Sequence, residues 1–252
     1  MTGGHSDETS SVDNRKPLSR RAAAMGVHVF TASGVVPAAA AAVELCSDVP
    51  NPRLVFVYFL ITTLIDALDG PLARRLDVKT YAASIDGRTI DDILDYLTFA
   101  FLPMLLVYRM DWLADGFQWT FTLGCLASLL GFANVTAKDD DGGFFRGFPS
   151  YWNIYAFYAG WMHVLFGPWP GTVLLWVLVV ATVSPIWLLY PNKAPAPWKW
   201  PVLIGSAVWA LALLIALPNF PDNASSWFWW TLIYPAFYCV ASLLAKKRQT
   251  KQ

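Results

Sequence analysis

The fold class this sequence predicts is an all-α, polytopic integral membrane protein with about eight transmembrane helices. Three observations carry it. Apolar residues make up 56% of the 252 and charged residues 14%, against roughly a quarter charged in an ordinary soluble domain. Several apolar runs reach about 15–20 residues, long enough to cross a hydrocarbon core of roughly 30 Å. Of the 18 lysines and arginines, all but Arg53 and Arg109 fall on one side of the membrane once eight spans are drawn. Basic loops that stay in the cytoplasm give that bias.

Residues 1–22 are polar and lack the residues of a packed core, so they read as a disordered cytoplasmic tail ending in a basic anchor. Residues 23–248 form the membrane domain, and 249–252 are a short polar tail. The first span, 24–45, is too long for the core of a signal peptide and lacks a cleavage site. The others follow at 54–73, 89–108, 118–137, 150–166, 172–190, 202–217 and 227–245, which places both termini in the cytoplasm. The WFWW run at 227–230 is an interfacial anchor. Lys246, Lys247 and Arg248 hold the inner end of the last span against anionic lipid. Cys46, Cys125 and Cys239 follow no metal or redox spacing.

The run LVFVYFLITTL at 54–64 ends in IDALDGPLAR at 65–74. Asp66 and Asp69 are three apart, and Asp91 and Asp95 four apart, so each pair shares a helix face. A short basic loop between them makes their helices antiparallel neighbours, and four carboxylates converge near the cytoplasmic surface. Acidic side chains in a span are costly, and four together repel one another, so the cluster calls for cations. All-oxygen ligation favours Mg²⁺ or Mn²⁺ over zinc. Helix capping explains Asp86 and Asp92. It does not explain Asp95, a turn deeper, or Asp66, which precedes a helix's inner end.

Asp66-x2-Asp69-Gly70-x2-Ala73-Arg74 followed by Gly87-x3-Asp91-x3-Asp95 resembles the signature of the CDP-alcohol phosphotransferase family. Residues 75–86 make the linker between the two halves longer than in most of that family. In this, in the eight-span outline, and in HVFTASG at 28–34 and GFPSYWN at 147–153, the chain is most similar to the bacterial phosphatidylcholine synthases. The resemblance implies a multi-pass enzyme of the bacterial cytoplasmic (inner) membrane with its active site facing the cytoplasm. Such an enzyme transfers a phosphatidyl group from CDP-diacylglycerol to choline and releases CMP. It implies two divalent ions, Mn²⁺ or Mg²⁺, held by Asp66, Asp69, Asp91 and Asp95, with Asp95 as the general base. Asp66, Gly70, Ala73, Arg74, Gly87 and Thr31 would bind the nucleotide and its phosphates: Gly70 and Ala73 by lack of bulk, Arg74 through its fork of donors. A homodimer is common in the family, membrane lipids are the further partners, and nothing points to nucleic acid.

Choline is a quaternary ammonium, usually held over aromatic faces. The stretch FFRGFPSYWNIY at 144–155 lies on the same side as the aspartates and offers Phe148, Tyr151, Trp152 and Tyr155, although aromatics collect at every membrane interface. Asn153 and Lys138 are weaker candidates for orienting a substrate. His28 reads as a packed core histidine. Two alternatives stay open: the same chemistry with serine, inositol or glycerol phosphate as the alcohol, and, from another class, a cation transporter using its carboxylates as the ion site.

Overall fold

The computed structural model describes residues 18–134, 138–139 and 142–249. Residues 1–17 and 250–252, most of the two expected tails, lie outside the described residues. The chain is mostly helical, and among the described residues four helical stretches are apolar and long enough to cross a membrane: Leu18–Leu45, Pro52–Arg75, Lys199–Asn219 and Ala224–Gln249. Shorter apolar helices pack among them.

The first stretch runs from Leu18. It comprises α1 (Leu18–Ala32) and α2 (Val35–Leu45). They meet at Ser33 and Gly34, where the Ser33 hydroxyl donates to the Phe30 carbonyl and competes locally with the helix ladder. Helix α3 (Pro52–Arg75) begins at the Asn51 cap, whose side chain accepts from the Arg53 and Leu54 amides, with Pro52 at the first position where its missing N–H costs nothing. Near its far end Pro71 interrupts the ladder just beyond Asp69.

The long linker is structured. It folds into the single turn α4 (Val78–Tyr81), whose Val78 packs with Ala24, Val27 and Ala82 against Leu72, Ala73 and Leu76. Arg20 donates to the Tyr81 hydroxyl at 2.9 Å. The extra residues thus tie α1 to the end of α3. Helix α5 (Gly87–Asp95) is capped by Asp86 and runs through a π-helical segment, Tyr96–Phe101, into α6 (Leu102–Arg109).

The remaining helices are α7 (Phe121–Ala133), α8 (Trp152–Phe166), α9 (Pro168–Val183), α10 (Lys199–Ala216) and α11 (Ala224–Gln249). Helix α8 is the central rod: every residue from Tyr155 to Met162 is buried.

The all-α expectation needs one correction. A small antiparallel sheet joins β1 (Lys138–Asp139), β2 (Phe144–Arg146) and β3 (Trp187–Leu189), in that order. Phe144 lies opposite Leu189 and Arg146 opposite Trp187. Gly143 and Gly147 make it possible. Both have positive φ, and a Cβ would drive into the Lys193 carbonyl at the first and the Thr182 carbonyl at the second. The sheet is seated on α11: the Leu189 amide donates to the Ser242 hydroxyl at 3.0 Å, and the Tyr238 hydroxyl donates to the Leu189 carbonyl.

Candidate active site

Asp66 comes from α3, and Asp91 and Asp95 from successive turns of α5. One oxygen from each lies within 4.8 Å of the others. Helix periodicity puts Asp91 and Asp95 on one face, and the antiparallel pairing inferred from the short linker brings that face to α3. Asp69, one turn beyond Asp66, is buried and stands outside this trio, yet lines the same small cavity. That cavity is about 20 Å³ and is also bounded by Thr31, Gly34, Thr62 and Thr98. It has room for one water- or ion-sized body. Carboxylate oxygens at this separation, with hydroxyls nearby, form a hard, all-oxygen donor set. That suits a divalent ion with ligand distances of roughly 2.0–2.6 Å.

Asp66, Asp91 and Asp95 also line a second cavity, of about 620 Å³, within the roughly 300–1,000 Å³ range of small-molecule sites. It opens between α5, the end of α7, the sheet and α11. The carboxylates therefore form the partition between a small compartment beside α1 and a large one beside the sheet.

Asp86 behaves as the capping argument expects, whereas Asp92 lies beyond the first turn and is held by an ion pair instead. Asp86 accepts from the Arg88 and Thr89 amides and from the Thr89 hydroxyl at 2.8 Å, and the Thr89 bonds hold its carboxyl below the usual carboxylate range. Asp92 pairs with Arg88 at 3.5 Å, one turn away.

The other motif residues are placed as follows. Thr31 is buried on the wall of the small cavity, its hydroxyl donating to the Val27 carbonyl at 3.2 Å. Gly70 leaves space that the Arg74 guanidinium occupies, 3.4 Å from where a Cβ would be. Ala73 packs into the cluster that joins α1, α3 and α4. Gly87 serves the packing of α1: a Cβ there would lie 2.7 Å from His28 Cε1 and 2.9 Å from His28 Nδ1. His28 is buried, and its Nε2 lies 3.4 Å from the Ala82 carbonyl. The histidine thus seats the start of α5 against α1.

The four aromatics expected to hold the acceptor divide into two pairs. Phe148 and Tyr151 line the large cavity. Trp152 and Tyr155 do not: Trp152 is fully buried with its indole N–H on the Ser128 hydroxyl at 2.5 Å, and Tyr155 is buried with its hydroxyl on the Gly171 carbonyl at 3.0 Å. The reason is where α8 starts. Trp152 and Tyr155 are three apart within the helix and share its core face, whereas Phe148 and Tyr151 belong to the non-helical lead-in, bent at Ser150 with φ 57°. Asn153 accepts from the neighbouring Ile154 amide within the first turn of α8. Lys138 lies on β1.

The large cavity also draws on Arg146 and on residues that sequence reasoning missed: Phe99, Phe132, Phe145, Tyr190 and Tyr238. No spacing links Tyr190 or Tyr238 to the motif. Only the docking of the sheet on α11 brings them there.

Apolar spanning helices around a carboxylate center place the chain first in a class: integral membrane proteins with an oxygen-ligand site built between helices. No protein-family model matches it. Relatives do. The chain is 34% identical over 210 residues to the phosphatidylcholine synthase of Bradyrhizobium diazoefficiens, covering 81% of this chain and 75% of that one. It is 36% identical over 177 residues to that of Pseudomonas aeruginosa, with 69% and 71% covered. The phosphatidylcholine synthase of Legionella pneumophila aligns over 235 residues at 33% identity, 89% of each chain. The chain belongs to the phosphatidylcholine synthase family.

Proposed function

We propose that this enzyme joins choline to the phosphatidyl group of CDP-diacylglycerol and releases CMP. The observation that carries the reading is the trio Asp66, Asp91 and Asp95 standing between two cavities in a chain of this family. The choline hydroxyl oxygen attacks the phosphatidyl phosphorus, Asp95 takes the hydroxyl proton, and the bond to the CMP oxygen breaks with its electron pair leaving on CMP. Asp66, Asp91 and Asp95, with Asp69 beside them, would hold divalent ions, Mg²⁺ or Mn²⁺. Ions bound there supply shielding of the pyrophosphate charge. Arg74, placed over Gly70, gives its fork of donors to a phosphate. Thr31, Gly70, Ala73 and Gly87 shape the donor's side, and Phe148 and Tyr151 contact the acceptor.

In this reading eight spans cross the bacterial inner membrane, with the carboxylates and both termini facing the cytoplasm. The enzyme works as a homodimer on lipid that enters from the bilayer. The basic residues support that orientation: Arg53 and Arg109 sit at the ends of α3 and α6 remote from the aspartates.

Membranes containing the protein, given CDP-diacylglycerol with labelled choline, serine, inositol or glycerol phosphate in turn, test the assignment. Labelled lipid from choline with stoichiometric CMP supports it. Product from another alcohol and none from choline overturns it.

A further inference from the structure

Resting on that reading, we infer that Tyr190 and Tyr238, together with Tyr151, form the wall that recognises the acceptor's quaternary ammonium. All three line the large cavity with Asp66 and Asp95. They arrive from separate elements: Tyr151 from the lead-in to α8, Tyr190 from the end of β3, Tyr238 from the middle of α11. Tyr151 and Tyr190 thus reach the cavity from the sheet's side of the bundle and Tyr238 from the helix on which the sheet is seated. The three tyrosines and the carboxylates therefore share the wall of one cavity.

That arrangement fits the two ends of choline. Its hydroxyl belongs at Asp95, and two carbons away its ammonium is wrapped in methyl groups. Such a head has no N–H to donate, so it is read by charge and apolar surface, which aromatic faces supply together. The Tyr238 hydroxyl donates to the Leu189 carbonyl, which holds that ring in place and leaves no O–H for the acceptor. Tyr190 already attracts a cation in this fold, the Lys193 ammonium at 5.6 Å from the ring centroid. Two cationic side chains line the same cavity. Arg88 is paired with Asp92, and Arg146 stands on β2, suited to the anionic phosphate rather than the acceptor.

The test compares Tyr190→Leu and Tyr190→Phe in membranes, with choline and with its uncharged isostere 3,3-dimethylbutan-1-ol as competing acceptors. Tyr190→Leu raises the KM for choline about tenfold, changes kcat and the KM for CDP-diacylglycerol less than twofold, and loses most of the preference for choline over the isostere. Tyr190→Phe keeps both the choline KM and the preference within about threefold, because the ring face does the recognising. A folded Tyr190→Leu enzyme with an unchanged choline KM overturns the inference, as does an equal loss toward choline and the isostere. Failure of the underlying reading shows separately, as a wild-type enzyme that makes no lipid from choline.

Discussion

The two ends of helix α3 make opposite use of the same bundle. Phe56 and Asp66 are separated by about 15 Å along the helix. Around Phe56 the chain closes completely: its ring lies 4.9 Å from Phe157 and 5.1 Å from Phe220, with Phe157 and Phe220 4.4 Å apart and Trp112 and Trp161 packed at their edges. The charges there are used up by the fold. Arg53 bonds the Phe220 carbonyl and Asp222, and Arg109 donates to the Leu45 and Ser47 carbonyls at 2.7 Å each. Around Asp66, carboxylates face cavities, a proline interrupts the helix, and a small sheet replaces close helix packing. One end stabilises through satisfied polar groups and interlocked rings. The other retains the open volume and concentrated charge that chemistry needs, and the price is borne by the first.

The largest effect is expected from Asp95→Asn, which sharpens the contrast by leaving the closed end untouched. CMP release from CDP-diacylglycerol and choline should fall about 10²–10⁴-fold, while the amount of folded protein in membranes stays near wild type. Next comes Trp152→Ala. Sequence reasoning put this residue in the acceptor site; its burial puts it with the structural end's way of working. The loss should appear as about 3–5 kcal/mol of stability, read as a lower thermal midpoint in detergent, with the choline KM of the surviving enzyme little changed. Gly160→Ala probes the closed end directly. A Cβ there would meet Phe220 Cζ at 2.5 Å and the Trp112 ring at 2.9 Å, so about 1–3 kcal/mol of stability should be lost to overpacking, with no change in either KM.

The smallest predicted effect tests the joint between the two regimes. Gly87→Ala should push on His28, displace the start of α5 and raise the metal concentration giving half-maximal activity several-fold. His28→Ala in the same chain should recover most of that loss. If the double variant is no better than Gly87→Ala, the contact with His28 is not why position 87 must be small.

How much of this was legible beforehand follows from how local each feature is. The apolar stretches and the carboxylates were readable because a helix fixes neighbours three and four residues apart, and a short linker fixes which helices are antiparallel. The aspartate trio needed nothing more. Asp69 was grouped with them on spacing, and its exact place depended on side-chain direction within the packed bundle. The split between Tyr151 and Trp152 was not readable, since one residue at a helix boundary decides it, and that boundary rests on the backbone bend at Ser150. The sheet and the arrival of Tyr190 and Tyr238 depend on contacts between segments more than forty residues apart, such as Leu189 with Ser242. Neither propensity nor spacing encodes those. The longer linker was recognised as a family feature, and only packing shows its use as the turn that ties α1 to α3.

The central claim is that Asp66, Asp91 and Asp95 act together as a divalent-ion site. Titrating purified protein with Mn²⁺ and following free ion by electron paramagnetic resonance tests it most directly. Saturable binding to the wild type, weakened at least tenfold in both Asp66→Asn and Asp91→Asn, is the predicted result. Mn²⁺ binding that is identical in the wild type and both variants would contradict it.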